Sequence, residues 1–267
     1  MKQTTLKKNI LVSAVVLTTA ILSSCNKDEI PPVPQLTPTS SFSMDYSDFQ
    51  QNKSANLLIG NWIYSVVNVS VFSTIASVNT TIPAIAFSES FNHTPTYIGD
   101  MTWQWSYDFN AITTTYSARL NGTVESKKVK WQMYIDKTGT NGFTNFLWFD
   151  GTTTDSTAAT WTVYTNPDSP SPVLDIEWSS NANHTETSLK YTDENSGSEN
   201  VGSTIEFGKS PDNELDCYYT IYFTSTETAI NIEWNSEQKN GRVKSPKYYK
   251  DETWHCWNEN LFDDWCD

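Results

Sequence analysis

Large apolar and polar side chains alternate strictly from Met101 to Phe109: Met101, Trp103, Trp105, Tyr107 and Phe109 share one parity, and Thr102, Gln104, Ser106 and Asp108 the other. Successive side chains of a strand point to opposite faces, so this period of two predicts a half-buried β-strand. The same alternation recurs at Val129–Asp136, Trp161–Thr165, Leu174–Ser179, Leu215–Phe223 and Ile230–Asn235. Asn121-Gly122, Asp150-Gly151, Asn240-Gly241 and the prolines at 167, 170 and 172 read as turns between such runs. The pattern predicts a mainly β fold, an antiparallel meander of about nine or ten strands forming a barrel or a strongly curved sheet, with a two-sheet β-sandwich as the alternative.

Before residue 93 the pattern differs. Between Phe42 and Asn92, Ile59, Trp62, Ile63, Val66 and Val67 recur at roughly helical spacing, which predicts a short helical region. Pro83 is expected to divide it into one helix and a shorter second one ending near Asn92, because proline lacks an amide donor and restricts its predecessor. The single domain is thus read as residues 42–267: a helical part to 92, an antiparallel β part over 93–253, and a tail from 254 onward.

Lys2, Lys7 and Lys8 precede an uncharged, largely apolar run from Ile10 to Leu22. Such a basic start and a run of thirteen residues, short of the ~20 needed to cross a bilayer, read as a signal peptide over residues 1–24. Leu22-Ser23-Ser24-Cys25 then resembles the lipobox of bacterial lipoproteins. That resemblance implies diacylglycerol on the Cys25 sulfur, cleavage before it, and a membrane anchored through two or more acyl chains. Asn26-Lys27-Asp28-Glu29 resembles the export signal of surface-exposed lipoproteins of the Bacteroidota, implying an outer-membrane, cell-surface location. The proline-rich stretch from Ile30 to Ser41 completes an expected tether over residues 25–41. Met101–Phe109, Phe146-Leu147-Trp148-Phe149-Asp150-Gly151 and Trp254-His255-Cys256-Trp257 resemble a group of Bacteroidota lipoproteins, a likeness that carries no activity or site residue with it.

With the three lysines of the first 24 residues removed, 14 basic residues face 31 acidic ones, a balance of −17. That charge argues against nucleic acid and anionic lipid as partners, since both reward basic patches. Outside the cytoplasm Cys256 and Cys266, ten residues apart, are expected to form a disulfide, with Cys217 a buried free thiol. The alternative, His255 with the two thiolates on a metal, lacks a fourth ligand.

Catalytic signals are few. His93, His184 and His255 stand apart, and there is no HExxH, GxSxG or phosphate-binding glycine loop among the ten glycines. Asp175 and Glu177 would project about 6.6 Å apart from one strand face, near the ~6.5–9.5 Å separation of inverting glycosidases. A solvated acidic strand face explains the pair equally simply and is preferred. The loop Asp193–Asn200 is oxygen-rich but departs from the EF-hand order, and reads as a hairpin connection rather than a calcium site. No cofactor is implied.

Aromatic residues make up 13% of the chain. Most belong to the core, but Trp148, Tyr218 and Tyr222 fall on parities opposite to their buried neighbours and are candidate ligand-binding aromatics. The expected role is a non-catalytic surface binding or accessory protein whose partner is a glycan or another outer-membrane protein. The alternatives are a lipid or small hydrophobic carrier with a lipocalin-like or half-barrel cavity, and a glycoside hydrolase.

Overall fold

The computed structural model describes residues 30–49, 60–209 and 214–266. The expected signal peptide over residues 1–24, the lipidation candidate Cys25 and Asn26–Glu29 lie outside them. Pro31–Asp267 forms one compact unit. Its strands are β1 (Thr96–Gly99), β2 (Thr102–Ala111), β3 (Thr114–Glu125), β4 (Lys128–Lys137), β5 (Phe143–Thr154), β6 (Ala158–Thr165) and β7 (Ser171–Ser180). There follow β8 (Thr187–Asp193), β9 (Thr204–Lys209), β10 (Cys217–Phe223), β11 (Thr228–Trp234), β12 (Gly241–Lys244), β13 (His255–Trp257) and β14 (Asp263–Asp264). The helices are α1 (Asn61–Glu89) and the one-turn α2 (Pro246–Tyr249).

The strands form one antiparallel sheet in strictly sequential order from β1 to β14, so the meander expected from the alternation is present. It is a single open sheet, neither a sandwich nor a closed barrel, and has fourteen strands among the described residues rather than nine or ten. Part of the shortfall comes from misread turns. Asn121-Gly122 and Asp150-Gly151 sit inside β3 and β5. At Gly122 the Trp131 indole lies where a side chain would begin, 2.7 Å from an ideal Cβ. That glycine makes room for a core ring instead of turning the chain.

The sheet curls around α1. Asn61, at the start of α1, bonds the β13 carbonyl of Cys256 through its side-chain amide (2.9 Å), and the Ala86 carbonyl near its end accepts from Tyr107 of β2 (2.5 Å). Twenty-five helical residues span about 38 Å at ~1.5 Å each, whereas the eleven strand spacings from β2 to β13 amount to about 53 Å of sheet. The sheet therefore bends by about that difference, and α1 bridges the chord. Trp62, Val66, Val69, Phe72 and Phe87 are buried against it.

α1 is a single helix that runs through Pro83, contrary to the expected break. Proline costs a helix about 3 kcal/mol locally. Beyond it, Phe87 is buried among Phe42, Phe149 and Trp161 with ring centroids 5.4–6.0 Å away. Burying such a ring contributes about 1.5–3 kcal/mol, and the Tyr107 bond to Ala86 adds to it, so the last turn stays helical. Asn61–Asn92 is long and apolar enough, by length and composition, to cross a membrane. Trp62, Val66, Val69, Phe72 and Phe87 pack on the concave face of the sheet, while Val67, Val78 and Ile85 of the same helix are exposed.

Pro31–Phe49, whose first part was expected to be free tether, is instead a strap along the same concave face. Tyrosine and tryptophan side chains of five strands hold its backbone or acidic side chain: Trp103 Nε1 donates to the Pro31 carbonyl (3.1 Å), Trp161 Nε1 to Ser41 (3.1 Å), and the Tyr219 hydroxyl to Asp45 (2.8 Å). Tyr191 donates to the Phe42 carbonyl (3.0 Å) and accepts from the Met44 amide (2.9 Å), and Trp234 Nε1 donates to Asp48 Oδ2 (2.9 Å). Pro31, Pro34, Thr37, Ser41 and Phe42 are buried. Backbone polar groups must be paired when buried, and indole and phenol tips at the inner face supply that pairing without any further strand.

Candidate binding groove on the outer face

One row of outward positions crosses five strands in register: Tyr218 of β10 faces Glu233 of β11, Glu233 faces Arg242 of β12, Arg242 faces Cys256 of β13, and Cys256 faces Asp264 of β14. This row, about 19 Å long from the strand spacing, floors an open groove of about 670 Å³. Its walls are Gln238 and Asn240 from the β11–β12 loop, Asn258 and Glu259 from the β13–β14 loop, and Glu214 and Leu215 before β10.

Each feature of the floor has a local cause. Gly208 faces Tyr218 across β9 and β10, and the tyrosine ring occupies the space a Cβ would take, 2.1 Å from its ideal position. The ring therefore lies across β9, where its hydroxyl donates to Glu206 Oε1 (3.0 Å). Burial, and then that carboxylate, raise the Tyr218 pKa, so the group stays protonated. Arg242 gives Nε and Nη2 to one oxygen of Glu233 (2.8 and 2.5 Å) and lies 4.5 Å from the centre of the Trp254 ring. The pair and the stacked indole fix a guanidinium that would otherwise sample many rotamers.

At the β14 end stands Trp265, 91% exposed. The next residue, Cys266, is bonded to Cys256 with a Cα–Cα distance of 5.3 Å, as its spacing predicted. The Trp265 amide also donates to Asp264 Oδ1 (2.9 Å). A large ring is thus presented to water from a cross-linked backbone at the rim of a polar groove. Such an arrangement can stack on the apolar face of a ring-shaped ligand while Gln238, Asn258 and Glu233 meet its hydroxyls.

The aromatic candidates do not converge. Tyr218 floors the groove. Tyr222 is on the same outer face, 41% exposed, but four residues further along β10, about 13 Å away. Trp148 is the extra residue of a bulge, since Met133 pairs with Phe149 while Tyr134 pairs with Leu147. The bulge turns Trp148 onto Phe146, Phe143 and Tyr116, with centroids 5.5–6.1 Å apart, so it packs on the core rather than facing outward.

The other candidates resolve into structural roles. Asp175 accepts from Thr162 (2.7 Å) and Glu177 from Lys190 (3.2 Å) on the outer face of β7, remote from the groove in the strand order. Both thiolates proposed for a metal are consumed by the disulfide, and His255 stacks on Tyr249 and meets Asp251 (3.1 Å). Among the described residues no group of His, Cys, Asp and Glu could hold a metal. In the β8–β9 loop, buried Asp193 accepts from the Asn195 amide (2.9 Å) and Ser198 hydroxyl (2.6 Å), so the loop closes on its own bonds. Cys217 is buried and free, its thiol pushed up to about 11 by burial. Trp265, Trp254, Arg242 and Asp264 were not singled out by sequence; the one available signal was a tryptophan among acidic residues beside an expected disulfide.

Comparison with protein-family models, curated proteins and solved structures finds no match for this chain.

Proposed function

We propose that the protein is a surface-anchored lipoprotein that binds glycan without consuming it, through the outer-face groove between Tyr218 and Trp265. The observation that carries this reading is Trp265, an indole 91% exposed yet tethered one residue from a disulfide. An exposed ring has no role in the core, and a rigid one loses little conformational entropy when it stacks on a ligand. The concave face, which a lipid carrier would need to keep open, is occupied by α1 and the strap. Anchoring through Cys25 and surface display rest on the lipobox and the residues that follow it.

The test is a glycan array followed by calorimetry on the purified chain. Covering roughly 100 Å² of the Trp265 ring is worth at most about 2.5 kcal/mol, and about 1–2 kcal/mol after ordering costs. Trp265→Ala should therefore weaken binding about 5- to 30-fold with an unchanged melting temperature. Full affinity in that variant would remove the groove from the reading.

A further inference from the structure

We infer that the groove selects its glycan by charge, taking neutral or amino-substituted sugars and rejecting uronate- or sulfate-bearing chains; this rests on the glycan reading above. Glu214, Glu233, Glu259 and Asp264 line it, against Arg242 as the single cation of its lining among the described residues. Arg242 is already committed to Glu233 and Trp254. The nearest lysines on neighbouring elements are also committed: Lys209 to Asp216 at 3.9 Å, Lys239 to Asp48 at 2.5 Å, and Lys244 to Glu252 at 3.5 Å. Among the described residues no ion pair engages Glu214, Glu259 or Asp264.

An anionic sugar laid along the floor would meet these three carboxylates without a donor cation to compensate. A protonated sugar amine would meet them favourably. At water-like dielectric, two unit charges about 6 Å apart change an affinity about threefold. Three carboxylates acting together therefore change it about 30-fold, in opposite directions for the two ligand charges. Hydroxyl recognition by Gln238 and Asn258 and stacking on Trp265 are common to all three ligand types and do not discriminate.

The probes are three hexamers: a neutral glucose oligomer, its glucosamine counterpart, and galacturonic acid. Affinities are measured by calorimetry on the full chain at about pH 5.5, where carboxylates and sugar amines are both charged. At about 0.01 M salt the glucosamine hexamer should bind about 30-fold more tightly than the neutral one, and the uronate about 30-fold more weakly. Both gaps should collapse at about 1 M salt, where the screening length falls to about 3 Å. Glu214 and Glu259 are exposed and their side chains hold no bond to the described residues, so the double variant Glu214→Gln/Glu259→Gln should fold normally and shrink each gap to about threefold. A uronate hexamer that binds as tightly as the neutral one overturns the charge selection while leaving the groove as a glycan site. So do gaps that the double variant leaves intact. Failure of all three hexamers to bind overturns the glycan reading itself.

Discussion

The strap is held to the sheet by single side-chain atoms, and Tyr191→Phe tests this with the loss of one oxygen. Tyr191 is 1% exposed, and its hydroxyl satisfies both the Met44 amide and the Phe42 carbonyl, each on a buried residue. Replacing it leaves a donor and an acceptor without partners where water does not reach, at about 1–3 kcal/mol each. Ser43 and Asp45 on either side are exposed, so the strap has somewhere to relax, and the lower half of that range applies: about 2–4 kcal/mol in all. For a body of this size each kcal/mol moves the midpoint by about 2–4 °C, giving a fall of about 4–16 °C in a circular-dichroism melt. Amide exchange at Met44 should accelerate in the same variant. Tyr222→Phe, on the outer face, is the control and should stay within about 0.5 kcal/mol of the parent. If Tyr191→Phe matches that control, the aromatic tips do not hold the strap and its packing must rest on side-chain burial alone.

Opening the disulfide, by reduction or by Cys256→Ser with Cys266→Ser, should cost about 2–3 kcal/mol of stability for so short a loop and should weaken glycan binding by up to the about 5- to 30-fold expected of Trp265→Ala, because Trp265 loses its tether; unchanged affinity would contradict the rigid-ring argument. The pKa values of Tyr107, Tyr191 and Tyr219 are raised above 10.0, chiefly by burial. Their contribution is complete below about pH 10 and is lost as pH climbs toward the raised values, since the unfolded chain then releases protons that the native state retains. Urea titrations should show stability falling above pH ~10 by up to about 1.4 kcal/mol per pH unit for each tyrosine, and a flat profile there would refute the buried-phenol assignment.

The strands legible in the sequence are those whose inner positions are large, such as Met101–Phe109, where burial alone imposes the period of two. β8 and β9 carry only two large inner residues each, Leu189 with Tyr191 and Ile205 with Phe207, among threonines, serines and charges, too little alternation to register. β13 and β14 are short and exist through pairing with β12 and the disulfide, which no local window reveals. The strap read as a tether because its prolines and small residues describe an extended backbone correctly but not what that backbone touches. Its partners, from Trp103 to Trp234, lie 72 to 186 residues away. Tyr218 was legible as an outward position on its strand. Trp265 was not, because its exposure depends on where the crosslinked tail lies.

The tail also explains why a groove forms at this end of the sheet. α1 begins after Gly60 with no cap from its own sequence, and the Asn61 amide instead donates to Asp263 Oδ1 (2.7 Å). A carboxylate there pairs an orphan donor and meets the positive end of the helix. Side chains alternate along a strand, so with Asp263 turned to the helix its neighbour Asp264 must face outward, into the groove. The same two-residue strand β14 therefore caps the helix on one side and builds the rim of the groove on the other, and the disulfide that fixes Trp265 fixes the helix cap with it. With the inner face filled, this outer edge is where the fold can present rings and carboxylates to a ligand without losing core packing.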